Sequence, residues 1–169
     1  MSKNLISMEV SKVTHKLLIE EQVDPLLDAN SPFKNYLGYS EVLPRRNFKF
    51  KLKFTNIGAQ TFSGAKITSF KIIYGETVLS NLLANIDITI PPLNPQESKE
   101  LINLETYAQY DGLAWIKLQI VANDNNPIEF YQHGKYRLEG SEWMNHFYVL
   151  SKGELMLIGI LQALMLGKV

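Results

Sequence analysis

An unbroken alternation of two side-chain types runs through residues 48–58, whose sequence is FKFKLKFTNIG. The apolar members are Phe48, Phe50, Leu52 and Phe54, and the residues between them are Lys49, Lys51 and Lys53. Because successive side chains of a β-strand point to opposite faces, this period of two predicts a strand with one buried face and one wet face. Such strands belong to antiparallel sheets that cover a core on one side.

Short alternating segments, separated by turn residues, follow this strand at the spacing typical of a β-sandwich or barrel. They lie at 70–74, 86–90, 98–104, 114–122 and 128–131, and a last segment begins at Phe147. Before residue 48 the pattern predicts strands at 6–10 and 13–19. An irregular connection follows at 24–46, where three prolines break every period. We therefore predict one β-sandwich domain spanning residues 1–169.

The carboxyl-terminal segment has a different character and predicts a helix at about 152–166. Ser151 and Glu154 have the Ser-x-x-Glu spacing of a capping box, in which each side chain accepts a hydrogen bond from a free backbone amide. Gly167 follows the last apolar residue, where helices commonly end in a left-handed glycine. Both ends of the helix are therefore marked in the sequence.

Nearly every position of this predicted helix is apolar, whereas a surface helix normally has a polar face. One interpretation is burial between the sheet and the long connection. The other is an interface, since an exposed apolar surface of this size normally marks a contact. The residues predicted to form that interface are Leu155, Ile158, Leu161 and Met165.

Composition excludes several kinds of partner and chemistry. The 17 basic and 17 acidic residues balance, so no net charge attracts nucleic acid or an anionic membrane. The absence of cysteine excludes disulfides, thiolate metal ligands and thiol nucleophiles. The sequence has no apolar run of the roughly 18 residues that a membrane span needs, and its amino terminus does not resemble a signal peptide. We expect a cytoplasmic protein with no membrane span, nucleic-acid partner or cofactor.

Two histidines, His133 and His146, each follow a glutamate by four residues. On a helix this spacing would bring histidine and glutamate to one face. The surroundings are predicted to be strand, where residues four apart are separated by roughly 13 Å. We therefore expect structural or surface roles for both histidines rather than metal binding.

Other motifs for catalysis or metal binding are weak. Asp124, Asn126 and Glu129 offer oxygen atoms of the kind that calcium binds, but the segment lacks the glycine and distal glutamate of an EF-hand loop. Turn formation by Asp and Asn explains this segment better. The glycine-rich nucleotide motifs and the Gly-x-Ser-x-Gly motif of hydrolases are absent from the sequence. The sequence thus predicts no catalytic, cofactor-binding or metal-binding residue.

Two surface features remain as candidates for ligand binding. The three lysines at 49–53 stand about 7 Å apart on one face and would suit phosphate or acidic sugars. Lysines also keep sheets from pairing edge to edge, and we favour that explanation. Trp115 and Trp143 belong to an aromatic-rich region and would stack on sugar rings if they project from loops.

Three short motifs resemble a known kind of module. Phe-Thr-Asn-Ile-Gly at 54–58 ends a strand, Leu-Asn-Pro-Gln-Glu-Ser-Lys at 93–99 forms a turn before a strand, and Asp111-Gly112 precedes the next long strand. Through these motifs residues 48–131 resemble bacterial and archaeal immunoglobulin-like modules of the CARDB or adhesion-domain kind. Gln96 stands where these modules usually have glycine. The resemblance implies a non-catalytic immunoglobulin-like fold.

Taken together, the patterns and the resemblance predict an all-β protein, an immunoglobulin-like antiparallel β-sandwich with one C-terminal α-helix. The function that fits is a non-catalytic recognition or assembly module that contacts a protein partner or forms a homo-oligomer. The alternative is a carbohydrate-binding module that uses exposed aromatic residues. A small hydrolase or metal-dependent enzyme is the third hypothesis.

Overall fold

The computed structural model describes residues 13–24, 40–42, 47–132, 136–138, 142–165 and 167. Within them are eleven β-strands, a short 3-10 helix at Leu83–Asn85, and one α-helix, α1, at Lys152–Met165. The strands are β1 (His15–Asp24), β2 (Ser40–Val42), β3 (Asn47–Asn56), β4 (Ala65–Tyr74), β5 (Thr77–Asn81), β6 (Thr89–Ile90), β7 (Ser98–Tyr107), β8 (Gly112–Ala122), β9 (Ile128–Gln132), β10 (Tyr136–Leu138) and β11 (Glu142–Val149).

The strands form two sheets on either side of a shared hydrophobic core. One sheet has the order β10-β9-β1-β3-β7, and the other has the order β2-β11-β8-β4-β5 with β6 paired to β4. The neighbouring strands β1, β3 and β7 correspond to strands A, B and E of an immunoglobulin domain. In the other sheet, β11-β8-β4-β5 corresponds to G, F, C and C′. The topology confirms the predicted immunoglobulin-like sandwich with one carboxyl-terminal helix.

Two strand pairs depart from the predicted antiparallel arrangement. β1 pairs in parallel with β9, and β2 pairs in parallel with β11. Each of these pairs joins strands that are distant in the sequence. Parallel strands cannot be joined by a tight hairpin turn, so no local turn motif predicts such a pairing.

β3 is an interior strand of its sheet, between β1 and β7, and has the predicted alternation. Phe48, Leu52 and Phe54 are buried, whereas Lys49 and Lys53 are exposed. Burying a large apolar side chain stabilises a fold by roughly 1.5 to 3 kcal/mol. The apolar face of β3 is therefore one wall of the core.

Aromatic side chains fill the core between the two sheets. The largest fully buried ones are Trp143, Phe48, Phe54, Phe62, Phe70, Phe130 and Phe147. Phe48 from one sheet and Phe147 from the other meet with their ring centroids 5.3 Å apart. Such pairs add to the stabilisation that burial alone provides.

The amino-terminal third is described only in part. The strand predicted at 6–10 lies outside the described residues. The strand predicted at 13–19 is confirmed as β1, which extends to Asp24. Within the predicted irregular connection at 24–46, residues 40–42 form β2 because they pair with the end of β11. Most of the rest of that connection lies outside the described residues.

Candidate functional site

α1 begins with the predicted capping box. The amide of Glu154 donates to Oγ of Ser151 at 3.0 Å, and the amide of Ser151 donates to Oε1 of Glu154 at 2.9 Å. The hydroxyl of Tyr148, near the end of β11, donates to the same carboxylate oxygen at 3.2 Å. Burial raises the pKa of Tyr148, and the negative charge of Glu154 raises it further. The tyrosine therefore stays protonated and ties the first turn of α1 to β11.

The end of α1 also follows the sequence prediction. Gly167 has φ +67°, the left-handed conformation that favours glycine, and its amide donates to the carbonyl oxygen of Leu164 at 3.1 Å. With 14 residues the helix is about 21 Å long. Within the described part of the chain, α1 included, no helix has the length and apolar character needed to cross a membrane.

The apolar side chains of α1 are largely exposed. Between 54% and 65% of the surface is accessible for each of Met156, Leu157, Ile160, Leu164 and Met165. Because residues four apart share a face of a helix, Met156, Ile160 and Leu164 form one row, with Leu157 beside it. We call these four residues the apolar stripe. Burial inside the sandwich, one of the two interpretations of this helix, does not hold for the apolar stripe.

The exposed face differs from the face predicted as an interface. Leu155 and Leu161 are half-buried, Met165 is exposed, and the side chain of Ile158 lies outside the described part of the structure. The sequence could not separate the two faces because nearly all positions of α1 are apolar. Of the three predicted residues whose side chains the structure describes, therefore, only Met165 is strongly exposed.

The two candidate stacking residues lie on opposite faces of one sheet. Strand register pairs Trp143 with Leu118 and Trp115 with His146. Trp143 is fully buried, so its indole fills the core. The prediction that Trp143 offers an exposed ring to a ligand is therefore wrong. Trp115 is half-buried on the outer face and packs against His146 with ring centroids 3.5 Å apart.

His146 does not form a metal site with its nearby glutamate in the described part of the chain. Burial lowers the pKa of His146, which favours its neutral form. Glu142 is four residues away along the extended strand β11, with its carboxylate 3.9 Å from Nζ of Lys117. His133 lies outside the described residues. Among the residues that are described, no group of three or more His, Asp or Glu side chains is placed to hold a metal ion.

The lysine row of β3 faces acidic residues on both neighbouring strands. Strand register places Lys53 between Glu20 of β1 and Glu100 of β7. It also places Lys49 opposite Glu105. The closest contact, from Nζ of Lys53 to Oε1 of Glu20, is 3.5 Å. Because acidic side chains on neighbouring strands offset the charge of these lysines, we interpret the row as a solvated surface rather than an anion-binding site.

A histidine and an aspartate that the sequence analysis did not connect form a pair. Nε2 of His15 lies 2.8 Å from Oδ2 of Asp124, although the two residues are 109 positions apart. His15 is buried and also packs edge-on against Phe62, with ring centroids 5.0 Å apart. The amide of Asn126 donates to the other carboxylate oxygen of Asp124 at 3.0 Å, which agrees with the predicted turn. No local pattern links residues so far apart.

His15 also lines an open cleft of about 450 Å³, together with Asn56, Gly58 and Gln60. The amide group of Asn56 is used within the fold. Its Nδ2 donates to the carbonyl oxygens of Gln60 and Leu93 at 2.8 and 2.9 Å, and its Oδ1 accepts from the amide of Gly58 at 2.9 Å. The buried polar groups beside the cleft are therefore hydrogen-bonded within the fold, where they join the loops, and are not available to bind a ligand.

The sequence matches no protein-family model and no curated protein. Among solved structures, the chain is similar to the CARDB domain of a Pyrococcus furiosus protein in complex with di-metal ions. The identity is 13% and the TM-score 0.46, over 82% of this chain and 96% of that one. The similarity is one of fold. The solution structure of that CARDB domain gives 12% identity and a TM-score of 0.43, over 81% and 96% of the two chains.

A third similar structure is a FixG-related protein from Vibrio parahaemolyticus, with 13% identity and a TM-score of 0.31 over 78% of this chain and 95% of that one. The CARDB kind of module, which the motifs at 54–58 and 93–99 resemble, is thus also found among the structures of similar fold. Function has to be argued from the side chains of this chain.

Proposed function

We propose that this chain is a non-catalytic recognition or assembly module that contacts another protein through the apolar stripe of α1. The observation that carries the proposal is the exposure of more than half of each side chain in the stripe, on a helix with well-formed ends. Monomers rarely expose contiguous apolar patches larger than a few hundred Å², and larger patches usually mark a contact. A capped helix presents such a patch with a defined shape.

The other candidate features are occupied within the fold. The lysine row faces acids on adjacent strands, Asn56 bonds to three backbone groups, and Trp143 fills the core. These assignments support a contact function over carbohydrate binding, because one of the two tryptophans proposed to stack on sugar rings is buried. They also support a non-catalytic module over an enzyme.

A charge in the middle of the stripe tests this proposal. We expect wild-type protein in an extract of its own cells to elute in size-exclusion chromatography well above the 19.3 kDa of one chain. Ile160→Glu should return it to the single-chain position, because association would bury an unpaired carboxylate. The matched control is Val121→Glu, which places a charge at an exposed apolar residue of β8. It should elute as wild type does.

Circular dichroism of the purified variants should show the same strand and helix content for Ile160→Glu as for wild type, since Ile160 is exposed. A wild-type protein that elutes as a single chain in the extract would contradict the proposal. So would a larger species that Ile160→Glu leaves unchanged.

A further inference from the structure

The exposed face of α1 has a row of large side chains beside a row of small ones. Met156, Ile160 and Leu164 form the large row. Gly159 and Ala163, also four residues apart, form the small row next to it. A Cβ atom added at Gly159 would meet nothing within 4 Å, so the space over Gly159 is open, and Ala163 beside it is half-buried. Because ridges of one helix pack into grooves of another, a face with both is complementary to itself.

The charges of α1 also favour one way of pairing. Its charged residues, Lys152 and Glu154, both lie in the first turn, and Glu154 is engaged by Ser151 and Tyr148. Lys152 is exposed and precedes Met156 by four residues, so it lies on the side of the stripe. In an antiparallel pair it would lie beside the partner's last turn, whose carbonyl groups carry partial negative charge. A parallel pair would bring the two Lys152 side chains together.

The available area reaches the lower limit for a specific contact. The apolar stripe, with Gly159, Ala163 and the stem of Lys152, offers roughly 500 Å² per copy, so two copies would bury about 1,000 Å², near the smallest area that specific interfaces bury. The chain has no net charge, so two copies do not repel each other at long range.

We infer that the partner of the apolar stripe is a second copy of this chain, paired with the first through an antiparallel contact between the two α1 helices, with Ile160 at the crossing point. This inference rests on the proposed function and names its partner. Each ridge of Met156, Ile160 and Leu164 enters the groove over Gly159 and Ala163 of the other copy. The two sandwiches then lie at opposite ends of the helix pair.

A lipid surface is the main competing occupant, and α1 fits it less well. Helices that lie in the membrane interface usually have several Lys or Arg residues along a polar face. α1 has a single lysine, at its first residue, and no basic residue in its last turn. An apolar helix with so few cations along it therefore fits a second apolar helix better than a headgroup layer.

Sedimentation of the full chain tests the second copy directly. We expect purified wild type to sediment at twice 19.3 kDa and Ile160→Glu at 19.3 kDa, with a dissociation constant raised at least about a hundredfold by the buried charge. Val121→Glu, the matched control on β8, should remain a dimer. A wild type that stays a single chain at all concentrations would overturn the inference.

Single cysteines report the direction of pairing, because the chain has none of its own. After oxidation, Ile160→Cys should form a disulfide-linked dimer, since the two copies of residue 160 meet at the crossing point. Met156→Cys alone and Leu164→Cys alone should not. An equimolar mixture of those two variants should form a mixed dimer. Linked dimers of Met156→Cys alone would indicate parallel pairing and contradict the antiparallel arrangement.

The outcomes separate this inference from the proposed function. The purified protein could be a single chain and still elute from its cell extract as a larger species that depends on Ile160. That result would keep the contact function but assign it a different partner. Binding of the purified single chain to phosphatidylcholine and phosphatidylserine vesicles, lost in Ile160→Glu, would replace the second copy with a membrane. A single chain in every assay would refute both proposals.

Discussion

Asn56 shows how one buried amide joins several loops at the end of the sandwich. Only 1% of it is exposed, yet each of its side-chain donors and its acceptor finds a backbone partner, in Gln60, Leu93 and Gly58. Its own carbonyl oxygen accepts from the amide of Gln96 at 2.7 Å. The Asn-x-Gly motif that the sequence analysis singled out is therefore a structural element.

We expect Asn56→Ala to lower the free energy of unfolding by about 3 kcal/mol, because two carbonyl oxygens and one amide lose their buried partner. Asn56→Asp should also destabilise, since a carboxylate cannot donate to Gln60 and Leu93. Urea denaturation measures both effects. Asn103→Ala, at an exposed asparagine of β7, should stay within about 0.5 kcal/mol of wild type. A loss below 1 kcal/mol for Asn56→Ala would show that water replaces these bonds.

Gln96 occupies a backbone conformation that suits glycine. Its φ is +69°, and it follows Pro95 in a turn closed by the amide of Glu97 donating to the carbonyl oxygen of Asn94 at 2.9 Å. Proline at the second position and a positive φ at the third define a type II turn, where glycine is favoured. Gln96, which stands where the modules that this chain resembles usually have glycine, thus has a visible conformational cost.

Replacing Gln96 with glycine should therefore stabilise the fold by about 0.5 to 1 kcal/mol. Relief of the strained left-handed backbone outweighs the extra conformational entropy that glycine gives the unfolded chain. The midpoint of urea unfolding should rise without a change in slope. The matched control is Gln119→Gly, at an exposed position of β8 with ordinary strand conformation, which should destabilise. A lower midpoint for Gln96→Gly would mean that its side chain makes compensating contacts.

At the scale of elements, α1 illustrates what local sequence can and cannot predict. Its capping box and its terminal glycine depend on residues three or four positions apart, and both were predictable. Its exposed face was not, because an apolar residue at almost every position leaves no polar side to point at solvent. The hydrogen bond from Tyr148 to Glu154 holds the first turn of α1 to β11, a contact that the pattern of apolar residues does not predict.

The capping box predicts a local effect on α1. Ser151→Ala should increase the amide exchange rate in the first turns of α1 about fivefold, which corresponds to roughly 1 kcal/mol for a lost cap. Ser151→Asp keeps an acceptor for the amide of Glu154 and should exchange at nearly the wild-type rate. Hydrogen exchange followed by mass spectrometry resolves this segment. Equal rates in the alanine and aspartate variants would show that the cap does not limit helix opening.

At the scale of the whole molecule, the pair of His15 and Asp124 connects the first described strand to the turn between β8 and β9. Burial acts to raise the pKa of Asp124, but the amide of Asn126 and the imidazole of His15 outweigh it and hold the pKa below its ordinary value. Because the folded pKa is lowered, the stabilisation from this carboxylate is complete above the unfolded pKa of about 4. It is lost as the pH falls through the folded value.

We therefore expect Asp124→Asn to be less stable than wild type by about 1 kcal/mol at neutral pH, a modest value because the carboxylate is partly exposed. The difference should shrink as the pH falls below about 4. Chemical denaturation across that range measures it. Asp87→Asn is the matched control, since Asp87 accepts from the amide of Thr89 at 3.0 Å in a similar turn. A difference that is the same at pH 3 and pH 7 would exclude an ionic contribution.

The sequence by itself determined the features that depend on near neighbours. The alternation at 48–54, the ends of α1 and the turn at Asn94–Glu97 follow from strand periodicity, capping and turn chemistry within a few residues. The tertiary structure decided which distant residues meet and which surfaces stay open. Strand register set Trp143 inside and Trp115 outside, chain topology brought His15 to Asp124, and the placement of α1 left the apolar stripe exposed. These outcomes depend on pairing between residues that are distant in the sequence. The free energy of that pairing comes from the whole core, so no short stretch of sequence predicts it.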